Sequence, residues 1–181
     1  MAIECSAVAG SLSGQLLGTY LDKNISEICP HGYTDSTLNH CAHFVCHAAS
    51  LSLGSVTCRQ MSAGRVADRI GVCIRVHELF AACPSVGLFD QASEAQRASG
   101  LIVFVTAASA VNIAAQTMVN VPKKHVGLFI EGTIWHYSNT RDKVTTATPA
   151  QFRNHYQGQQ NELYFGTLPA TGVVAPMGCG R

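Results

Sequence analysis

The chain is poor in charge: Asp, Glu, Lys and Arg make up 13% of its 181 residues, and the formal net charge is +1. No block of Lys or Arg occurs, which excludes the basic footprint that nucleic acid or an anionic membrane surface demands. No basic residue precedes Lys23, and Glu4 stands where a secretion signal would be basic, so residues 1–20 do not have the pattern of a signal peptide. Leu101 to Val119 carries no charge, yet Thr106, Ser109, Asn112, Gln116 and Thr117 are too polar for the middle of a membrane span. A buried strand followed by a small-residue segment, in a soluble protein, is the expectation. There is no CxxC pair among the eight cysteines. With 47% hydrophobic residues the chain has core enough for one domain over 1–181 without a disulfide framework, so most thiols are expected free. The nearest metal-like grouping, Cys41, His43, Cys46 and His47, spreads around a helix, and only His43 and His47 share a face. Spacing therefore predicts no closed zinc site, and no cofactor.

What is present centres on residues 36–53. Cys41 follows a cluster of capping types, Asp35, Ser36, Thr37 and Asn39, and Phe44, Val45, Ala48 and Ala49 then recur at helical spacing. Cys41 is thereby placed in the first turn of a helix running toward Gly54, where unpaired N–H groups favour a thiolate. A cysteine there is a candidate nucleophile.

Helical patterns occupy the first half. Short helices are expected over 5–28, ending before Pro30, and an amphipathic helix over 62–83 closed by Pro84. Residues 85–100 read as a loop. Strands follow: Leu101 to Val105, then Lys124 to Ile130 and Thr133 to Ser138 joined by Glu131-Gly132, then Val144 to Thr148 and Leu163 to Leu168. Pro149 to Tyr156 reads as a short helix with proline at its first position. Helices first and an antiparallel sheet after make an α+β domain with a core over about 30–168; the tail from 169 to 181 is expected to be mobile.

A thiol nucleophile needs a base on a rigid element. His125 opens the first strand of the hairpin and His136 lies in its partner, so the two imidazoles can be cross-strand neighbours, one acting as base and the other fixing its tautomer. Alternation sends His136 and Ser138 to one face and Trp135 and Tyr137 to the other; Asn139, the alternative third member, has the wrong parity unless a bulge intervenes. His40 could line the site. His77 is expected to face outward, and His155 lies in a polar stretch.

The run Asn39-His-Cys41-Ala-His-Phe-Val45 before a helix, with His125-Val-Gly-Leu-Phe-Ile130, Glu131-Gly132 and Ile134-Trp-His136 downstream, resembles the papain-like NlpC/P60 and CHAP cysteine peptidases. The resemblance spans roughly residues 30 to 168. It departs from the family pattern at His40, Ala42 and Leu101, where aspartate, serine and aspartate are usual. It implies a papain-like fold with Cys41 as nucleophile, His125 as base and His136 (or Asn139) as the orienting group of a peptidase or amidase. By the same resemblance the substrate is a peptidoglycan peptide, and the protein is an exported antibacterial toxin, met by an inhibitory immunity protein, or a lysin. The Asn39-to-Val45 run is also similar to the motif of the lecithin:retinol acyltransferase group, which makes a thiol acyltransferase or thioesterase the rival enzyme. In that group the histidine precedes the cysteine, so chain order favours the peptidase. Outside enzymes, the rival is a binding module, either a degenerate papain-like domain or a metal site using His43, His47 and nearby cysteines.

Overall fold

Alternating apolar residues in the second half and short amphipathic runs in the first produce short N-terminal helices packed on a six-stranded antiparallel sheet. The computed structural model describes residues 12–63 and 71–169. The helices before the sheet are α1 (Gly14–Gly18), α2 (Cys41–Ala48), α3 (Cys58–Ser62) and α4 (Val76–Ala82). Next come strand β1 (Val86–Leu88), helix α5 (Glu94–Ala98), strand β2 (Leu101–Ala107) and a small ribbon of β3 (Val111–Asn112) and β4 (Thr117–Met118). The hairpin β5 (Lys124–Ile130) and β6 (Thr133–Ser138), β7 (Lys143–Ala147), α6 (Pro149–Arg153) and β8 (Asn161–Thr167) follow.

The sheet order is β1-β8-β2-β5-β6-β7. Strand alternation divides its side chains between two cores. Ile102, Phe104, Val126, Leu128, Ile130 and Tyr137 face the helices, where Phe80 meets Phe104 edge-on at 5.1 Å. Val103, Val105, Phe129, Ile134, Leu163 and Phe165 face away and are covered by Phe89 and by Phe152 of α6. Each such large side chain contributes about 1.5–3 kcal/mol by leaving water.

Glu131 and Gly132 both have positive φ, 51° and 82°, the geometry that lets a two-residue turn follow the strand twist. The β5–β6 ladder is short: it runs from Ile130↔Thr133 to Leu128↔Trp135 and stops. Beyond that point β6 pairs only with β7, through Ser138↔Lys143. The candidate site occupies this region where the two strands part.

Several elements differ from their sequence expectations. Helix α2 ends at Ala48, because Ser50 turns left-handed with φ 54°. The single helix expected over 62–83 is not formed: Gly71 has φ 106°, Cys73 makes a β-bridge to Thr57, and Arg75 is extended before α4 begins. Residues 64–70 of that span lie outside the described residues, as do 1–11 and the tail from 170. The loop expected over 85–100 contains β1, paired with β8, and α5, whose Ser93 and Gln96 form a capping box. Among the described residues no helix is long and apolar enough to cross a membrane.

Candidate functional site

Helix α2 begins at Cys41, and its start is capped from a distance. His40, the residue before the helix, makes no side-chain capping bond; instead its backbone N–H donates to Oδ1 of Asn139, just beyond the end of β6, at 2.9 Å. The Asn139 Oδ1 thus holds the residue that precedes the helix. None of the nearby capping residues expected from sequence performs this task; the Asp35 carboxylate accepts from Thr37.

The Cys41 sulfur lies beside the backbone N–H groups of Ala42 and Val126, both of which favour its thiolate, as does the Lys124 ammonium. Burial opposes them and wins, pushing the thiol up to about 11. The expectation that a helix start alone would yield a resting thiolate therefore fails. Desolvation at a residue only 3% exposed outweighs the partial charge of a two-turn helix.

His125 precedes the Val126 amide that lies against Cys41. Its side chain stands on the sheet face away from α2, beside His136 of β6, with His125 Nε2 to His136 Nδ1 at 2.9 Å. Gly127 makes this approach feasible, since a Cβ there would fall 2.7 Å from Ile134 Cγ2, 2.9 Å from the Trp135 carbonyl and 3.1 Å from His136 Cβ. His155, after α6, stacks flat on His125 at 4.0 Å and 7°, and Phe152 tilts against the ring at 5.4 Å. Burial, then the neighbouring imidazoles His155 and His136, hold His125 well below the usual histidine range. Burial and then His155 lower His136 to about 4. Both rings are therefore neutral at pH 7. No hydrogen bond joins the Cys41 sulfur to either ring, although Tyr156, edge-on to His155 at 4.7 Å, is close enough for a Cys41 thiolate to raise its phenol.

The structure thus brings His125 and His136 together, seats Cys41 against the residue after His125, and sends Asn139 elsewhere. His155 was missed because nothing in the spacing of Asn154-His-Tyr156 indicates that the turn after α6 folds over β5. His77, expected to face outward, instead lines a cleft of about 340 Å³ beside Cys41, along with Tyr33, Asn39, Arg75 and Lys124. Its Nδ1 is buried without a hydrogen-bond partner. No Asp or Glu lines the cleft among the described residues.

His40 does not face this site. It belongs to a second cluster on the other side of α2, where Cys29, His43, His47 and Cys58 bring their ligand atoms within 4.8 Å of one another. The expectation of no closed site rests on Cys41, His43, Cys46 and His47; the present set keeps the two histidines, and its two thiols come from before α2 and from the first residue of α3. The Cys58 thiol, followed by His43 and His47, draws Cys29 far below the usual thiol range, while Cys58 is driven up by the same contact. All six described cysteines are free. No family model, curated protein or solved structure matches this chain.

Proposed function

We propose that the protein is a papain-like cysteine hydrolase that cleaves amide bonds, with Cys41 as nucleophile, His125 as general base and His136 as the group that orients it. The observation that carries this reading is the 2.9 Å bond between His125 Nε2 and His136 Nδ1, on the residue whose neighbour's amide abuts Cys41. With the proton on Nε2 donated to His136, His125 presents a bare Nδ1 as base, and the imidazolium formed during reaction stays oriented. No hydrogen bond joins Cys41 to His125 in the free protein; the reading has them meet in the complex around the start of β5, where the Val126 amide abuts the sulfur and Tyr156, edge-on to His155, lies near it.

The resting pair is a neutral thiol and a neutral imidazole, so proton transfer accompanies attack. The Cys41 sulfur bonds to the substrate carbonyl carbon as its proton passes to His125 Nδ1. The amide N–H groups at the start of α2 face the developing oxyanion. His125 then protonates the leaving nitrogen as the C–N bond breaks. Water, deprotonated by His125, hydrolyses the thioester and releases a carboxylic acid and the free thiol. Of the two cations lining the cleft beside Cys41, Arg75 is ion-paired with Glu78 at 3.1 Å, whereas the Lys124 ammonium meets, among the described residues, only the neutral Asn120 side chain and Val121 carbonyl, so Lys124 suits a substrate carrying a carboxylate, as the stem peptides of peptidoglycan do.

The test is mass spectrometry of peptidoglycan fragments after incubation with the protein. One amide bond should be cut by the wild type and none by Cys41→Ala, and amidating the fragment's free carboxylates should raise KM. Cleavage of esters but not amides would move the assignment to the acyltransferase reading, and equal cleavage by Cys41→Ala would end it. Iodoacetamide labelling of the free protein gives a second check: because Cys41 sits near 11, labelling at that residue should be slow at mildly acidic pH and accelerate with every unit of pH.

A further inference from the structure

A second site is built from four side chains that no part of the proposed hydrolysis uses. His43 and His47 lie four apart on α2, so their rings project from one face one above the other. Cys29, after the short helical turn Ile25–Glu27, and Cys58, at the head of α3, approach that face from opposite sides in sequence. Three of the four residues are buried and His47 is half-buried. Their ligand atoms lie within 4.8 Å of one another, and His43 Nε2 and His47 Nε2 are 3.1 Å apart. A tetrahedral zinc ion, with bonds of about 2.0–2.1 Å to nitrogen and about 2.3 Å to sulfur, needs its ligands about 3.3 Å apart for two nitrogens and about 3.8 Å for two sulfurs. The 3.1 Å between the two imidazole nitrogens is close to the first spacing, the 4.8 Å bound on the whole set needs only a small contraction to meet the second, and the donor set is zinc's.

The proton inventory agrees. His40 is fully buried, and its Nε2 lies 2.9 Å from the Asp35 carbonyl, which can only accept, so Nε2 carries the proton. The other nitrogen of a neutral His40, Nδ1, must then accept, and it faces His43 Nδ1 at 3.1 Å. His43 is thereby a donor at Nδ1 and bare at Nε2. That bare lone pair points at His47 Nε2 and the two thiols. A carbonyl that orients one imidazole, which in turn fixes the tautomer of the next, is the outer-shell arrangement that ligating histidines use.

We propose that Cys29, His43, His47 and Cys58 bind one zinc ion in a closed, structural Cys2His2 site, with His40 as the positioning residue for His43. Four protein ligands leave no position for substrate, so the ion's task is mechanical. It ties the segment before α2, α2 itself and α3 together, and so fixes the helix whose first residue is Cys41. No redox change is involved: two thiols lose protons and two neutral imidazoles donate lone pairs.

The full chain, refolded in reductant with zinc and then desalted, should hold about one zinc per chain by elemental mass spectrometry. Cys29→Ser and Cys58→Ser should each lose it, whereas Cys46→Ala, which changes a buried cysteine of the same helix outside the set, should keep it. Cobalt substituted for zinc should give the visible bands of a tetrahedral ion with thiolate charge transfer, a readout that needs only the wild type if the serine variants fail to fold. Stripping the metal with a strong chelator should lower the melting temperature, and zinc should restore it. No stoichiometric zinc in the wild type, a cobalt spectrum without thiolate bands, or a Cys29–Cys58 disulfide in the zinc-refolded protein would overturn the proposal.

Discussion

Two rows of three imidazoles lie in this chain and differ in what stands at their ends. His40, His43 and His47 sit at and along α2 and are joined nitrogen to nitrogen at 3.1 Å. One end of that row is pinned by the Asp35 carbonyl and the other opens on two thiols. His125, His136 and His155 come from β5, β6 and the turn after α6; two are bonded at 2.9 Å, and the third is stacked rather than bonded. Phe152 and Tyr156 enclose that row, and a single thiol lies near its edge. In the pinned row the protons of His40 and His43 are assigned, so the His43 Nε2 lone pair faces the point where His47 and the two thiols meet, as a metal requires. The second row is held differently: His125 is bonded to His136, whose ring also meets the Tyr137 backbone, while His155 is only stacked, which leaves His125 Nδ1 open to take a proton, as base catalysis requires.

The sharpest division between the rows should come from Cys41→Ala and His125→Ala. Each should cut turnover by about 10⁴-fold or more, the double variant should lose little beyond either single one, and bound zinc should be unchanged. A turnover assay beside elemental analysis decides it, and loss of metal with loss of turnover would merge the two sites. Next in size, His136→Ala should slow turnover by roughly 10² to 10⁴, with His136→Asn recovering part because an amide can accept the His125 N–H. Asn139→Ala should leave the pH profile in place and cost about 1 kcal/mol in chemical denaturation, the worth of a helix cap. The reverse pattern would make Asn139 the orienting residue.

Acid should bear on the strand row directly. His136 falls from the ordinary 6.5 to about 4 in the fold, and His125 and His155 are also lowered by burial. Between those limits the unfolded chain binds more protons than the native one. Stability is therefore complete above about pH 6.5 and declines as pH falls toward 4, by at most about 1.4 kcal/mol per pH unit for each such histidine. Denaturation of metal-free protein across this range should show the slope, and His136→Asn should reduce it; an unchanged slope would mean that the row titrates freely. The smallest effect is structural. Gly127→Ala places a methyl 2.9 Å from the Trp135 carbonyl and should cost about 1–3 kcal/mol with a partial loss of turnover.

Periodicity carried the sheet and the pair within it. Alternation placed His136 on the His125 face and Trp135 and Tyr137 on the other, and Glu131-Gly132 marked the hairpin. Legibility ended where a side chain's partner is remote in sequence. The cap of α2 is Asn139, 99 residues from His40. The thiols that complete the second cluster could not be chosen from eight by spacing, and Cys41 and Cys46 were the misleading near neighbours. The long helix expected over 62–83 failed because Gly71 and the Thr57↔Cys73 bridge impose tertiary geometry on a segment whose apolar spacing suits a helix. The Cys41 thiol is neutral because of burial, a quantity no local motif contains.

The position of β8 has a consequence for how the molecule is made. As the last strand among the described residues it is not an edge: it enters between β1 and β2, giving β1 the one strand partner it has among those residues and covering one whole side of β2. Until residues 161–167 have emerged from the ribosome, the strand from Leu101 to Thr106, whose side chains are all buried in the finished fold, keeps an open edge. The nascent chain therefore holds its thiol helix before it can complete the sheet on which that helix rests, and a product truncated before β8 should be an aggregating polypeptide rather than a weakened but folded protein.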